Sequence, residues 1–397
     1  MNDLAFRDKL SASLLRLERW VEDHQYKGYE PFDGLSSVLG RLTFHKPLLE
    51  RIVVQMVRQS PVNLRPVLGV KPQESTKGRG YMAWGYTEMF KVTRDPGYRR
   101  KILECLEWLD KNKAPGFSTH SWGNHFPMTG RGGGLRTYEP IIVWTSLIGQ
   151  AYLDAYELFG EARHLDVAKS VCQWILDVPR QKTERGTCLS YVASAMTCIQ
   201  NSNMLGAAML ARTAKYHRVP DYLDVAREAM IYSCSRQRAD GAWYYAESEH
   251  SHWIDNFHTG YNLDSLRCYI ESTGDTSFEE NLDRGFKFFK DHFFEPTGRP
   301  KYYHDRAYPI DSQCAAQAIE TLANFSDRDP EALELAIRVA GWTIDHMQDR
   351  KGCFYYREYP LGLKAKTPML HWAQATTYRA LALLLNKLTP GDPRPEA

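Results

Sequence analysis

The 397-residue chain contains no run of about 18 apolar residues, the length a bilayer-spanning helix needs. Its most apolar stretch, PIIVWTSLIGQAYL at 140–153, is short and carries Thr, Ser and Gln, so it reads as a buried helix. The N-terminus, MNDLAFRDKLSASLLRLERWVEDHQ, is charged throughout and lacks the apolar segment and small-residue cleavage site of a signal peptide. The eight cysteines include no CxxC pair, and Cys105, Cys172 and Cys268 fall in helical patterns. Reduced, buried thiols in a cytoplasmic protein are therefore expected, rather than a disulfide framework. The net charge is only +2, which gives no field of the kind that attracts nucleic acid. No Walker or dinucleotide glycine pattern and no strand–helix alternation occur, which argues against a parallel nucleotide-binding sheet.

What the chain does have is aromatic surface, with 23 Tyr and 10 Trp, and an ordinary globular balance of 43% hydrophobic and 25% charged residues. Such rings serve in cores and equally well beneath sugar rings. The chain also repeats itself. The turns TRDPGY (93–98), FGEARH (159–164), YHRVPDY (216–222), STGDTSF (272–278) and FSDRDPEA (325–332) recur at intervals of roughly 55 to 60 residues. In them Asp and Ser suit a helix cap and Pro suits a first helical position. QRADGAWYYAE from Gln237 and QDRKGCFYYRE from Gln348 share one pattern, and PTGRPKYYHD from Pro296 is a looser copy.

First helices of these pairs are expected near 81, 139, 203, 258, 311 and 370, and second helices near 97, 163, 220, 277 and 330. The sixth second helix is missing after residue 388, and the N-terminal helix at about 4–25 can take its place. The fold class expected is all-α: an (α/α)6 toroid of six helical hairpins closed by the N-terminal helix. It forms a single domain over 1–390, with a disordered tail at 391–397. Residues 36–78 fall outside the count and should hold one extra helix, at about 47–59, and a Pro-containing loop.

In such a ring the N-termini of six inner helices converge on one end of a funnel, where their free N–H groups favour anions. Function is then read from the segments that precede them: KGRGYMAW, GLRTYEPIIVW, IQNSNM, HWIDNFHTGYN, YYHDRAYPIDSQ and KTPMLHWAQ. Asp255 and Asp311 begin consecutive inner helices and are candidates for a general acid and base, though each also suits a plain N-cap. Two carboxyls flanking a scissile bond are the usual glycosidase arrangement. His258 and Tyr261 lie three apart on one helical face, and His is the natural proton shuttle near neutral pH. Glu139 and Asp33 are further candidate carboxylates. Arg136 and Tyr138 belong to MTGRGGGLRTYEP, which with Arg131 offers guanidinium groups and backbone N–H groups to an anion. Trp84, Trp253, His371, Trp372 and Gln374 complete the expected substrate-binding set.

A zinc site of Asp311, Cys314 and His371 would resemble that of protein prenyltransferase β subunits, which are also (α/α)6 toroids. The Asp–Cys spacing differs from theirs, so no metal and no cofactor is expected. YKGYEPFDGL, WIDNFHTGYNLDSL and YPIDSQCAAQAIETL carry a resemblance to the α/α-toroid proteins of bacterial surface-polysaccharide gene clusters. These are similar to the helical domain of glucuronyl C5-epimerases and, distantly, to unsaturated glucuronyl hydrolases. The resemblance implies a carbohydrate-active enzyme of polysaccharide biosynthesis or modification, acting on a neutral or anionic saccharide. The favoured reaction is acid/base cleavage of a glycosidic bond by Asp255 and Asp311. Its alternatives are a uronyl epimerase or lyase using Tyr261 and His258, or a saccharide-binding scaffold without turnover.

Overall fold

The computed structural model describes residues 3–130 and 133–389. Arg131 and the C-terminal tail of the expected organisation lie outside them. The helix pairs fall where the repeats place them. Inner helices are α3 (Thr76–Thr93), α5 (Ile142–Phe159), α7 (Gln200–Ala214), α9 (Asn256–Thr273), α11 (Ser312–Asn324) and α13 (Thr376–Leu388). Outer helices are α4 (Pro96–Lys111), α6 (Ala162–Asp177), α8 (Pro220–Cys234), α10 (Glu279–His292) and α12 (Pro330–Met347), with α1 (Asp3–Asp23) as the sixth. Each inner helix packs on the next, and α13 packs back on α3, so the inner ring closes. This is the (α/α)6 toroid.

Local chemistry sets the helix ends. Asp95 and Asp329 accept the amides of Gly97 at 2.8 Å and Glu331 at 3.0 Å, each followed by Pro at the first helical position. The small residues of GAAMLARTA let α7 press on α5, where a Cβ on Gly149 would lie 2.7 Å from the methyl of Met209.

Four of the turns between an outer helix and the next inner one carry a glycine held against the following outer helix. Gly186, Gly241, Gly298 and Gly352 have φ of +85°, +92°, +87° and +102°. A Cβ on them would run into the backbone of Glu228, Arg284, Arg338 and Arg16. The last contact is with α1. Gln348 clasps the carbonyl of Ser13 at 3.0 Å, just as Gln237 clasps that of Asn281 at 2.8 Å in α10. The terminal helix therefore occupies the place of a missing repeat, and Tyr378 of α13 donates to Glu18 of α1 at 2.7 Å.

The excursion before α3 holds α2 (Pro47–Gln59), within the range expected for the extra helix. It lies on Gly34, whose Cβ position is 3.2 Å from the Cα of Val54. The sixth inner helix departs from a plain α-helix. It begins as a π-helical turn, Leu370–Ala375, in which the Gln374 side chain bonds the Met369 carbonyl at 3.2 Å and the Phe354 carbonyl at 2.9 Å. Among the described residues, no helix is long and apolar enough to cross a membrane.

Candidate functional site

The helix starts meet at one end of the ring. Tyr81 of α3 and Tyr261 of α9 come from opposite sides of it, and their hydroxyls lie 2.9 Å apart. Gln313 of α11 donates to Tyr261 at 3.0 Å. These three side chains form a floor across the channel. Beneath the floor the axis is filled by charge. Arg379 reaches Glu88 at 3.4 Å and Glu320 at 3.9 Å, and Arg212 donates to Asp154 at 2.5 Å. Burial raises Glu320 to about 7, whereas Arg212, with Lys91 and Arg379, outweighs burial and holds Asp154 at about 2.

Above the floor stands Lys77, one helical turn before Tyr81. Its Nζ is 5.6 Å from the Tyr81 ring centroid and 5.9 Å from that of Tyr261. The residue is 93% covered, and among the described residues no carboxylate lies within ion-pair distance of it. Burial pushes its amine down to about 7, against the pull of nearby Glu30. Glu30 itself binds Nδ1 of His371 and, through Oε1, accepts the His371 backbone amide at 3.2 Å. Burial lowers the pKa of His371, against the pull of the Glu30 carboxylate. Burial works against the Glu30 carboxylate, but the His371 contact prevails and keeps it ionised. An Nδ1–H directed at a carboxylate leaves the Nε2 lone pair of His371 free, and that atom is buried without a partner. His125, also lowered by burial, borders this pair.

A second imidazole is held in the same way. Asp255 caps α9 by accepting the His258 amide at 3.0 Å, and its Oδ2 takes Nδ1 of the same residue at 2.7 Å. Trp253 donates to that oxygen at 2.9 Å and stacks on Tyr245 with centroids 4.4 Å apart. His258 opens into a recess lined by Gln200, Asn201, Trp253 and Asn262. Amide oxygens of Gln200, Asn201 and Asn262 in this lining are buried with no bonding partner, as are both amide atoms of Asn256 and the amide oxygen of Gln313 on the first turns of α9 and α11. Donors and acceptors left open in this way suit the hydroxyls of a polar ligand.

No protein-family model matches the chain, and no curated protein does. Solved structures do. A cellobiose 2-epimerase from Bacillus thermoamylovorans superposes with a TM-score of 0.66 at 11% identity, over 97% of this chain and 99% of that one. A GH76 α-mannanase of Bacteroides thetaiotaomicron gives 0.62 at 11% identity over 78% of this chain and 86% of its own. A D-mannose isomerase gives 0.59 at 12%, over 79% and 87%. The likeness is one of fold.

Of the residues expected from sequence, Asp255, His258, Trp253 and Tyr261 come together, and His371 lies beyond Lys77 from them. Asp311 is fully buried. Its oxygens are taken by the Gln313 amide at 2.9 Å, the Trp372 indole at 2.7 Å and the Arg357 guanidinium. Asp33 is likewise buried, accepting from Arg65 at 2.6 Å and from the Glu30 amide at 2.9 Å. Trp84 donates to Asp154 at 2.8 Å, under the floor. Gln374 is spent on backbone, accepting the Phe354 amide at 2.8 Å and donating to the Phe354 and Met369 carbonyls. Glu139 bonds the Arg136 amide at 2.9 Å and the Ser194 hydroxyl, while Arg136 and Tyr138 are exposed. Among the described residues no group of His, Cys, Asp and Glu is placed to hold a metal, and Asp311, Cys314 and His371 do not form one.

Sequence reasoning missed Lys77, Tyr81, Glu30 and His125. Lys77 and Tyr81 sit in KGRGYMAW, a segment already marked as preceding an inner helix, and Glu30 sits in YKGYEPFDGL. His125, in SWGNHFP, carries no comparable signal.

Proposed function

We propose that this chain is a saccharide epimerase or isomerase. It moves a proton on the carbon beside the carbonyl of a ring-opened sugar. The observation that carries this reading is the pair of imidazoles, His258 and His371, each with Nδ1 fixed on a carboxylate and Nε2 left for chemistry. A neutral, buried His371 accepts the proton as general base, and His258 serves the other side of the carbon. Lys77, as an ammonium, faces the carbonyl oxygen and stabilises the enediolate charge that develops when the proton leaves. The open amides of Asn201, Asn256 and Asn262 hold hydroxyls, and Trp253 and Tyr245 offer flat faces to the sugar.

The hydrolytic reading needs two carboxyl groups free to meet a scissile bond. Asp255 and Asp311 have both oxygens engaged, which weighs against that reaction. The fold neighbours include epimerases and an isomerase, in keeping with the reading. The resemblance to glucuronyl C5-epimerases adds uronic-acid sugars to the substrates to try.

The test is incubation in deuterated water with aldoses, ketoses, uronates and reducing disaccharides, followed by proton NMR. Deuterium should appear at the carbon beside the carbonyl, together with the epimer or isomer. Release of new reducing ends without exchange would return the assignment to hydrolysis. Saccharide binding with neither outcome would leave a scaffold.

A further inference from the structure

Among the described residues eighteen large apolar side chains are exposed, and nine of them fall within residues 38–67. Four of the nine are on helix α2. Val54 and Val57 are buried against the body of the protein, while Leu48, Ile52 and Met56, at i, i+4 and i+8, form a second apolar stripe that is 69%, 55% and 43% exposed. Phe44 and Val62 extend the stripe at either end of the helix, and Val67 follows from the loop beyond. The loop at 359–363 lies beside the C-terminal end of this helix, where the Tyr359 hydroxyl donates to the Gln59 carbonyl at 3.1 Å, and Leu361 on it is fully exposed. Scattered surface apolar residues need no explanation, but an exposed apolar stripe along one helix with further exposed apolar residues at both its ends does.

Charge says what covers it. From residue 37 to 73 there are six Lys and Arg and a single acid, Glu50, in a chain whose totals are 50 and 48. Arg65 is spent on Asp33, and Arg58 lies 4.5 Å over the Phe32 ring and donates to the Tyr356 hydroxyl. Arg41, Lys46, Arg51 and Lys71 remain exposed around the apolar stripe, and Glu50 is half-buried beside His45. An apolar stripe with a cationic border and a helix of 13 residues, too short to span, has the composition of an element lying in the plane of a membrane interface. The excursion is attached at the end of the ring where the inner helices start, through the Tyr29 bridge to Met369 and the Arg357 contact with Gln59 at 3.3 Å.

We propose that α2 and its flanking loops bind the surface of an anionic phospholipid membrane, seating the end of the ring that holds His371 and Lys77 against the lipid. The exposed stripe enters the interfacial layer, and Arg41, Lys46, Arg51 and Lys71 meet lipid phosphates.

The test is flotation of the full chain with phosphatidylglycerol–phosphatidylcholine vesicles and with pure phosphatidylcholine vesicles. Binding is expected to the anionic vesicles, at least about 10-fold stronger than to neutral ones, and weakened at about 1 M salt, where screening acts within roughly 3 Å. An Ile52→Glu/Met56→Glu double variant should lose vesicle binding while its circular dichroism and melting temperature stay at wild-type values. A triple change of Arg41, Lys46 and Arg51 to Gln should lose the preference for anionic lipid. Absence of binding to anionic vesicles overturns the proposal, as does equal binding by the double variant. A wild-type dimer that the double variant converts to monomer, without lipid binding, also overturns it and assigns the face to a second copy of the chain.

Discussion

Nδ1 of His258 lies 2.7 Å from Oδ2 of Asp255, and Oδ1 of the same carboxylate accepts the His258 backbone amide at 3.0 Å. One side chain thus starts the helix and orients the imidazole on its first turn. The cap weighed in the sequence is there, and under the proposed function the same carboxylate orients the imidazole rather than acting as acid or base itself.

Asp255→Asn therefore separates the two roles. Asn is as good an N-cap as Asp, so the melting temperature should change little. The amide cannot hold the imidazole tautomer as the carboxylate does, and the exchange rate in deuterated water should fall about 10- to 100-fold. Turnover by NMR and a thermal melt on the same sample check it.

Asp311→Asn should behave in the opposite way. It leaves the Arg357 guanidinium buried without its carboxylate, a loss of about 3–5 kcal/mol. Activity per folded molecule should be retained, as read by denaturant unfolding alongside kinetics. A stable Asp311→Asn protein without activity would restore this carboxylate to the reaction.

The pH dependence follows from Lys77 and His371. Lys77, pushed down to about 7 by burial, loses its charge as pH rises through that value, so kcat/KM should fall on the alkaline side. His371 must be neutral to accept a proton, and burial lowers it, so the acid limb should lie below the ordinary histidine value of 6.5. Lys77→Arg should shift the alkaline limb upward, and Lys77→Met should cost about 100-fold or more. Stability runs the other way. A folded pKa below the model value of 10.5 means the folded state binds fewer protons than the unfolded one between about 7 and 10.5. Wild-type stability should rise with pH across that window, and the full penalty of the buried charge applies below it. Lys77→Met should then melt higher than wild type at pH 6, with the difference shrinking toward pH 10.

Gly352→Ala tests how the ring closes. The residue has φ of +102° and presses on the Arg16 backbone of α1. The change should cost more than Gly160→Ala, where φ is +68° and a Cβ meets nothing within 4 Å, so only the left-handed penalty of about 1–2 kcal/mol applies. Comparison of the two unfolding free energies checks it. Equal losses would mean that the contact with α1 contributes nothing.

The architecture was legible because it is written in local signals repeated along the chain. Asp-Pro starts, Gly turns and the copied Gln–Gly–Tyr–Tyr segments each dictate their own backbone, and five turns without a sixth second helix leave α1 to close the ring. The segments that face the funnel were legible for the same reason, since they are the ones that precede inner helices. Which side chains in them stay open for chemistry was decided only by tertiary contacts. Asp311 looks like Asp255 in sequence, but Arg357 lies 46 residues away and removes it. Glu30 and His371 are 341 residues apart and become a pair only when the two ends of the chain meet. Lys77 has an ordinary lysine neighbourhood along the sequence, and its depressed pKa arises from burial where the inner helices meet. Hydrogen-bond saturation and desolvation are properties of what surrounds a group in space, so periodicity and capping signals carry no record of them.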